Sequence, residues 1–326
     1  MSKRGTLAKT FAWLLLCAAT AVPAQVRWDL PAAYPADSFH SVNLKQFAAD
    51  VERATSGRLR ITVHADASLF KAPEIKPAVE LGQAQIGEVL LANHTNDWAL
   101  FGIDSLPMLA KGYDEALRLY QITRPALEQR FAGNGVMLLY SVPWPPQGLY
   151  LRKPISSLSE LKGVAWRAHT PSTQRIGELI GGQPVTVQVA ELRRAVASGL
   201  IQAYISSCAT GYESRTYEHL KYWMDIRAWL PKNAVVVNRG AFDQLDKPTQ
   251  AALLKAASDA ETRGWTASQT GNDECLAAIQ RQGLTVLRPP PRVRQELRDI
   301  GQTMQNEWLR RAGPEGQMLL DEFRKR

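Results

Sequence analysis

Two arginines stand at the ends of neighbouring strand-like runs in the middle of this 326-residue chain. Arg152 closes the run 149–152, and Arg167 closes the run 164–167. A guanidinium group is planar and binds a carboxylate through two parallel hydrogen bonds. We therefore expect Arg152 and Arg167 to converge on one small anion. The alternative is that both are solvated charges at strand ends.

Signatures of enzymes and metal sites are sparse along the chain. It has no P-loop, no G-x-G-x-x-G, no H-E-x-x-H and no G-x-S-x-G, and its five histidines show no metal-ligand spacing. The run Ser159–Lys162 matches S-x-x-K, but a four-residue pattern often matches by chance. We expect no catalytic residue, no metal ligand and no cofactor. The alternative is a periplasmic enzyme that acts on a carboxylate substrate.

The composition is that of an ordinary globular protein, with 45% hydrophobic and 21% charged residues. The formal net charge is +8, and three of these charges lie in the first 24 residues, which leaves an excess of five on the rest of the chain. Because the basic residues are dispersed, they can attract an acidic ligand but do not form the basic patch of a nucleic-acid-binding protein.

The first 24 residues have the pattern of an export signal. Basic residues at positions 3, 4 and 9 precede the apolar stretch Phe11–Val22, and V-P-A at 22–24 supplies the small residues of a cleavage site. The apolar stretch is short for a membrane anchor, which is the alternative. We expect cleavage near Ala24 and a mature protein in the periplasm.

Two cysteines, Cys208 and Cys275, remain after removal of the signal. An oxidising compartment permits a disulfide between them, but the sequence does not place them close together. We expect two buried free thiols, with a disulfide as the alternative.

Hydrophobic periodicity predicts strands and helices that alternate in two halves. The first half runs from a strand at Val26–Leu30 to a strand at Val136–Val142, and the proline-rich stretch V-P-W-P-P-Q follows at 142–147. The alternation restarts at Leu149 and includes a helix around Ser214–Trp223 and a strand at Ala234–Asn238. This βαβ rhythm is typical of an α/β fold with two lobes.

Helical patterns dominate the last part of the chain. A long helical stretch runs from Pro248 to about Gln282, a strand is predicted at Leu284–Leu287, and a further helix at Val293–Arg311. Crossing between halves more than once is typical of two-domain proteins that close around a ligand.

The segment that ends on Arg167 also resembles a known family. S-E-L-K-G-V-A-W-R at Ser159–Arg167, followed by A-H-T-P-S, is similar to the signature of solute-binding proteins of tripartite ATP-independent periplasmic (TRAP) transporters, the dicarboxylate-binding type. The likeness runs from about Trp28 to Gly313. It implies that Arg167 binds the carboxylate of the ligand, that Arg152 assists, and that the 248–282 helix bridges the two lobes.

A second stretch both follows and departs from the family. Members of the family often carry D-G-x-E-N-P after the strand at 201–207, whereas this chain has Ser206 and Ser207 there. It is closer to a subgroup with S-S-x-A-T-G followed by A-W-L-P-K-N-x-V-V-V-N, here at Ala228–Asn238. The resemblance implies that Asn238 is a ligand-facing or hinge residue, with a turn-capping role as the alternative. Hydroxyl groups at Ser206 and Ser207 can hydrogen-bond a carboxylate or keto oxygen.

The connections that follow the strands of the first half line the cleft in the family, in agreement with the general rule for α/β sheets. The candidates on this side are Phe39, Ser68 and Phe70, and Asn93–Thr95 is a further group. Each of the aromatic residues has a place in the core as its alternative.

Alternation along the strands assigns the remaining candidates. Neighbouring residues point to opposite faces, so Trp166 is expected in the core when Arg167 faces the cleft. Tyr150 shares a side with Arg152 and is a candidate for the wall of the cleft. Trp144, within the proline-rich stretch, either lines the cleft or packs at the hinge.

Together these features predict a type II-like, two-lobed periplasmic binding protein with a bridging helix. Lobe I is expected to comprise 25–148 plus about 239–282, and lobe II 149–238 plus about 283–326. The expected partners are a small carboxylate and TRAP permease subunits, with a sensor system as an alternative to the permease. The aromatic residues and the two serines favour an apolar or aromatic 2-oxo or 2-hydroxy acid as the ligand.

Overall fold

The computed structural model of the protein describes residues 25–325. The predicted export signal, residues 1–24, lies outside the described residues. Across 25–325, no helix combines the length and the apolar character that a membrane crossing requires.

The described chain contains eleven strands and nine α-helices, joined by short 3₁₀ segments. The strands are β1 (Val26–Pro31), β2 (Leu59–His64), β3 (Ile86–Leu90), β4 (Val136–Pro143), β5 (Gly148–Leu151), β6 (Ala165–Ala168), β7 (Gln183–Thr186), β8 (Tyr204–Ser206), β9 (Tyr222–Met224), β10 (Lys232–Asn238) and β11 (Thr285–Leu287). The helices are α1 (Phe39–Ala54), α2 (Ile75–Glu80), α3 (Tyr113–Gly133), α4 (Pro171–Leu179), α5 (Leu192–Ala197), α6 (Cys208–Glu213), α7 (Arg239–Asp243), α8 (Lys247–Arg281) and α9 (Pro291–Arg324). The α/β class predicted from the sequence is confirmed.

Four small sheets form two groups, which are the two lobes. In lobe I, β1 pairs with β2 in parallel, and β10 lies between β3 and β4, antiparallel to both. In lobe II, the strand order is β11-β9-β5-β8, and β6 pairs with β7 in parallel. The lobe boundaries stay a prediction. The sequence places residues 232–238 in lobe II, whereas in the structure β10 pairs with β3 and β4 in the sheet of lobe I.

Each lobe has its own hydrophobic core. In lobe I, Leu30, Phe47 and Val237 pack between α1, α8 and the sheets. In lobe II, Trp166 and Leu149 pack with residues of α4 and α9. Because each lobe buries its own apolar faces, the space between the lobes can serve as a site.

The 35-residue helix α8 packs against α1 and β4 of lobe I and against α6 and β11 of lobe II. Its first turn is stabilised by Asp246, whose Oδ1 accepts a 2.7 Å hydrogen bond from the backbone N–H of Thr249. The prediction of a long helix that bridges the lobes is confirmed. Helix α9 is kinked at Gly313, whose φ of 63° is readily adopted only by glycine.

The expectation of two free thiols is wrong. Cys208 and Cys275 form a disulfide, which fastens α6 of lobe II to α8. The two residues are 67 positions apart, and only the packing of α6 on α8 brings them together.

The helix predicted around Ser214–Trp223 is also wrong. The helix in this region, α6, ends at Glu213, and the chain continues through a 3₁₀ turn at Thr216–Glu218 into β9. Ser207 fixes the start of α6, because its Oγ accepts a hydrogen bond from the backbone N–H of Thr210 at 3.1 Å.

Candidate ligand-binding site

A small cavity lies between the two lobes. Its volume is about 40 Å³, which is space for a few water-sized groups. The lobe I side and the loops next to it contribute Tyr34, Ala72, Leu90, Asn93, Trp144 and Pro231. The lobe II side contributes Gln147, Arg167, His169, Gln188, Val189 and Thr210. A ligand that enters this space touches both lobes.

Arg167 is the central residue of the lobe II side. It lies in β6 and is only 2% exposed. Its backbone N–H donates to the carbonyl of Ala203 at 3.1 Å, and its Nε donates to the carbonyl of Val187 at 2.9 Å. The first bond fixes the backbone at Arg167, and the second fixes its side chain. Neither bond uses the two outer nitrogens of the guanidinium. Nη1 is buried and has no partner among residues 25–325.

The charge of Arg167 has no counter-charge within the described part of the chain, where no carboxylate lies within 4 Å of it. Burial lowers the pKa of its guanidinium to about 10, so the group stays cationic at neutral pH. The ring of Tyr204 lies 5.8 Å from the guanidinium carbon and offers a weak cation–π contact. A buried cation with an unpaired N–H is stabilised most by an anion that enters the cavity.

The wall on the lobe I side is built from three residues that bond to one another. Trp144 Nε1 donates to Asn233 Oδ1 at 3.0 Å, and the hydroxyl of Tyr34 donates to the same oxygen at 3.3 Å. The rings of Tyr34 and Trp144 meet edge-on with centroids 4.8 Å apart. Burial, aided by Glu88, raises the pKa of Tyr34, which therefore remains a neutral hydroxyl donor.

The orientation of the Asn233 amide follows from this arrangement. An indole N–H can only donate, so the atom that faces Trp144 must be the amide oxygen. The Nδ2 group of Asn233 is left buried and without a partner in the described residues. Behind this wall, His40 and Glu88 form a buried pair at 3.1 Å, and the His40 ring packs 4.3 Å from Trp144.

His169 borders Arg167 on the lobe II side. Burial and the charge of Arg167 lower its pKa well below the usual range, so the imidazole is neutral at physiological pH. Its Nδ1 lies 3.5 Å from Thr173 Oγ1, and its carbonyl accepts a long 3.5 Å bond from Gln188 Nε2. A neutral imidazole leaves Arg167 as the only charge on this wall.

Among the residues singled out from the sequence, the structure brings Arg167 and Trp144 to the cavity, together with Asn93. Phe39 is half-buried and packs edge-on against Trp144 at 5.3 Å, outside the cavity. Phe70 is half-buried and packs on the lobe I core, and Ser68 is exposed in the turn after β2.

Arg152 does not join Arg167. β5 ends at Leu151, so Arg152 lies beyond the strand, exposed to solvent, with its guanidinium beside Gly199. Tyr150 is fully buried in the lobe II core, where it stacks on Tyr204 at 4.4 Å and donates to the carbonyl of Ser207 at 3.0 Å. It is a core residue because β5 is an inner strand, packed on both sides.

The two serines and Asn238 have local structural roles. Ser207 caps α6, and Thr210, which its Oγ contacts at 3.0 Å, is the residue of this stretch that lines the cavity. Ser206 is buried at the end of β8 and is not part of the lining. Asn238 caps α7 and donates to the carbonyl of Val79 at 2.9 Å.

Sequence reasoning missed Tyr34 and Asn233 on the lobe I wall, and it also missed Gln147, His169, Gln188 and Thr210 on the lobe II side. Asn233 is part of the same A-W-L-P-K-N stretch and lies at the start of β10, paired with Leu90 at the end of β3. The signal was present, because an amide next to Pro231 and Lys232 precedes four apolar residues. The direction in which β10 runs, which the sequence does not reveal, decides that Asn233 and not Asn238 lies by the cavity.

The described residues contain no group of three or more His, Cys, Asp or Glu side chains that could hold a metal ion. One buried cation, several amides and an aromatic wall can bind an anionic organic molecule and exclude water from it.

Comparison with known proteins places this chain in a family. Residues 32–311 match the family model described as bacterial extracellular solute-binding protein, family 7 (DctP). The crystal structure of DctP6 from Bordetella pertussis, an extracytoplasmic solute receptor binding pyroglutamic acid, is 49% identical, with a TM-score of 0.91 over 92% of this chain and 100% of that one. DctP7 from the same organism, also described as binding pyroglutamic acid, is 40% identical, with a TM-score of 0.90 over 92% and 100% of the two chains.

A third structure comes from a marine metagenome. It is a TRAP solute-binding protein specific for pyroglutamate and is 36% identical, with a TM-score of 0.90 over 93% of this chain and 99% of its own. The match to the family model covers most of the chain, and the two-lobed fold is shared throughout. This chain therefore belongs to the bacterial extracellular solute-binding protein family 7 and is an extracytoplasmic solute receptor of the TRAP type, not an enzyme.

Proposed function

We propose that this receptor binds a small cyclic carboxylate of the pyroglutamate type in the interlobe cavity and delivers it to a TRAP permease. The observation that carries the proposal is Arg167, a buried guanidinium without a counter-charge among the described residues, which lines the small cavity between the lobes. Three relatives at 36–49% identity, each described with pyroglutamate or pyroglutamic acid, support the choice of ligand.

In this proposal the ligand carboxylate binds to Arg167, and the ring packs against Trp144 and Tyr34. The carboxylate neutralises the buried charge, and the apolar ring atoms replace water at the aromatic wall. Arg167 belongs to lobe II and the aromatic pair to lobe I, so the ligand contacts both. A ligand that touches both lobes stabilises the closed state more than the open one, which is the condition for ligand-driven closure.

The small size of the cavity disfavours the aromatic 2-oxo or 2-hydroxy acids that the sequence suggested more strongly than it disfavours the smaller pyroglutamate. A phenyl ring on a three-carbon acid needs more room than a five-membered ring bearing one carboxylate, and the neighbouring Trp144 is fixed by its bond to Asn233. Widening the cavity would break that bond in a buried place.

A titration tests the choice of ligand. Purified mature protein is screened by thermal shift and then by calorimetry with L-pyroglutamate, succinate, lactate and phenylpyruvate. We expect the tightest binding and the largest rise in melting temperature with L-pyroglutamate. Stabilisation by phenylpyruvate and not by pyroglutamate would overturn the cyclic-acid proposal and support the aromatic ligand instead.

Delivery and export are tested separately. We propose that the export signal is removed near Ala24 and that the mature receptor works in the periplasm with the permease subunits. Mass spectrometry of the protein from the periplasmic fraction should give a chain that begins near Gln25. Uptake of labelled pyroglutamate by cells should require the receptor and the permease together, and uptake that persists without the receptor contradicts this role.

A further inference from the structure

Asn93 is a polar residue of the lobe I lining whose amide oxygen has no hydrogen-bond partner among the described residues. It lies in the 3₁₀ turn Leu91–His94 that follows β3, between the buried residues Ala92 and His94. Its side chain is half-buried and lines the cavity. Its two neighbours in the turn are buried, and its own side chain borders the cavity.

Asn93 Oδ1 is buried and has no hydrogen-bond partner among residues 25–325. Each of the other amides around the cavity makes at least one hydrogen bond, although Asn233 Nδ2 is also without a partner among residues 25–325. Gln147 Nε2 donates to the carbonyl of Pro145 at 2.7 Å, Gln188 Nε2 donates to His169, and Asn233 Oδ1 accepts two bonds. A buried polar atom without a partner is costly, so the missing partner of Asn93 is expected in the ligand.

A carboxamide edge presents one acceptor and one donor side by side. Its complement is a group with a donor and an acceptor on one edge, which is what an amide in the cis form offers. A ring forces the amide of a lactam to be cis, whereas open-chain secondary amides are trans. A lactone or cyclic ether of the same shape lacks the N–H and leaves Asn93 Oδ1 unpaired.

We infer that Asn93 is the specificity-determining residue that selects a lactam ring over isosteric cyclic acids, by pairing its amide with the ring N–H and carbonyl. The inference rests on the proposed function, because it takes the carboxylate to be bound at Arg167. The two groups lie on different lobes, so the carboxylate of the ligand is bound by lobe II and its lactam edge by lobe I. Lobe II then recognises the charge of the ligand, and lobe I recognises the N–H and carbonyl of its ring.

The experiment compares L-pyroglutamate with its lactone analogue, 5-oxotetrahydrofuran-2-carboxylate, in which oxygen replaces the ring N–H. Both are titrated by calorimetry into the wild-type protein and into Asn93→Ala, Asn93→Asp and Gln188→Ala. We expect the wild type to prefer the lactam by about 10- to 100-fold, the factor that an unpaired buried polar atom costs. Asn93→Ala should lose most of this preference while lactone affinity changes by less than about threefold.

The two remaining variants separate a specific role from a general one. Asn93→Asp keeps the shape and the N–H acceptor but loses the donor and adds a charge facing the ring carbonyl, so lactam binding should fall below that of the wild type. Gln188→Ala removes a carboxamide on the opposite side and should change both affinities by the same factor. Because the lactam-to-lactone ratio is measured within each variant, a loss of stability does not mimic the effect.

The outcomes also distinguish the inference from the function on which it rests. Equal binding of lactam and lactone by the wild type, or an unchanged ratio in Asn93→Ala, would overturn the role of Asn93 and leave the carboxylate receptor intact. Failure of the wild type to bind either compound would overturn both.

Discussion

The two sides of the interlobe cavity treat their polar groups in opposite ways. On the lobe II side, Arg167 brings a charge into a buried place and meets no counter-charge among the described residues. On the lobe I side, Asn233, Trp144 and Tyr34 satisfy most of one another's hydrogen bonds. The first side is incomplete without an anion, and the second is nearly complete without a ligand. We therefore expect lobe II to supply affinity and lobe I to supply shape.

Both sides are held by their surroundings, but by different means. Arg167 is fixed by backbone carbonyls, and the nearby helix α6 is fastened to α8 by the Cys208–Cys275 disulfide. Trp144 is fixed by one side-chain bond and by rings packed around it. Backbone and covalent links resist mutation better than a side-chain network, so the lobe I wall should be the easier one to loosen.

The largest effect is expected from Arg167→Ala. Removing the guanidinium leaves the carboxylate of the ligand buried without a partner, which costs about 3–5 kcal/mol, or roughly two to four decades of affinity. Calorimetry with pyroglutamate measures the change. Arg167→Lys keeps the charge but not the planar guanidinium, so its affinity should lie between those of the wild type and Arg167→Ala. Binding by Arg167→Ala within threefold of wild type would show that the carboxylate is bound elsewhere.

A smaller effect is expected from Asn233→Leu. This change leaves the buried Trp144 N–H and Tyr34 hydroxyl without their acceptor, which costs about 1–3 kcal/mol. We expect affinity to fall about tenfold and the melting temperature to fall as well. Asn238→Ala is the matched control: it removes the cap of α7 and should cost about 1 kcal/mol of stability without changing affinity. Equal loss of affinity in both variants would contradict the role given to Asn233.

The two lobes also meet outside the cavity, where Glu213 of α6 and Asp37 of lobe I border the same groove. Burial, and then the charge of Asp37, raises the pKa of Glu213 to about 8, from an ordinary value of 4.5. The folded protein therefore binds a proton that the unfolded chain releases between these two pH values. Stability should be highest below pH 4.5 as far as this group is concerned, fall as the pH rises towards 8, and then level off.

Thermal melts of Glu213→Gln at pH 5, 6.5 and 8.5 test this linkage. The neutral, isosteric amide should remove the part of the stability decline that is due to Glu213. The melting temperature of the variant should therefore exceed that of the wild type by roughly 2 °C or more at pH 8.5 and equal it near pH 5. Glu218→Gln, which removes an ion pair with Arg215 in the same region, is the control and should not flatten the profile. Parallel pH profiles for the wild type and Glu213→Gln would rule out Glu213 as the source.

The sequence was a good guide where a rule of alternation could be applied locally. Trp166 and Arg167 are neighbours on a strand, and one lies in the core while the other faces the cavity. The same rule failed for Tyr150 and Arg152, since β5 is an inner strand with both faces buried and ends one residue before Arg152. Alternation predicts which side a residue faces, but it does not reveal what covers that side.

The direction in which β10 pairs with its neighbours is the other feature that the sequence does not reveal. β10 runs antiparallel to β3, so its first residues, including Asn233, lie beside Leu90 at the cavity, and Asn238 lies at the far end. The disulfide has the same origin, because Cys208 and Cys275 meet only when α6 packs on α8. Contacts between distant segments decided both cases, and a single sequence carries no direct record of such contacts.

The smallest effect is expected from Arg152→Ala, which compares an exposed arginine with the buried Arg167. Arg152 directly follows β5, and Arg167 lies near the end of β6, so both are arginines at the end of a lobe II strand. They differ in burial, because Arg152 is exposed and Arg167 is buried. An exposed arginine without a buried partner contributes little, so affinity for pyroglutamate should stay within twofold and stability within about 0.5 kcal/mol. The same calorimetry used for Arg167→Ala measures it. A tenfold loss would mean that Arg152 approaches the ligand in another state of the protein, and burial alone would then not separate the two arginines.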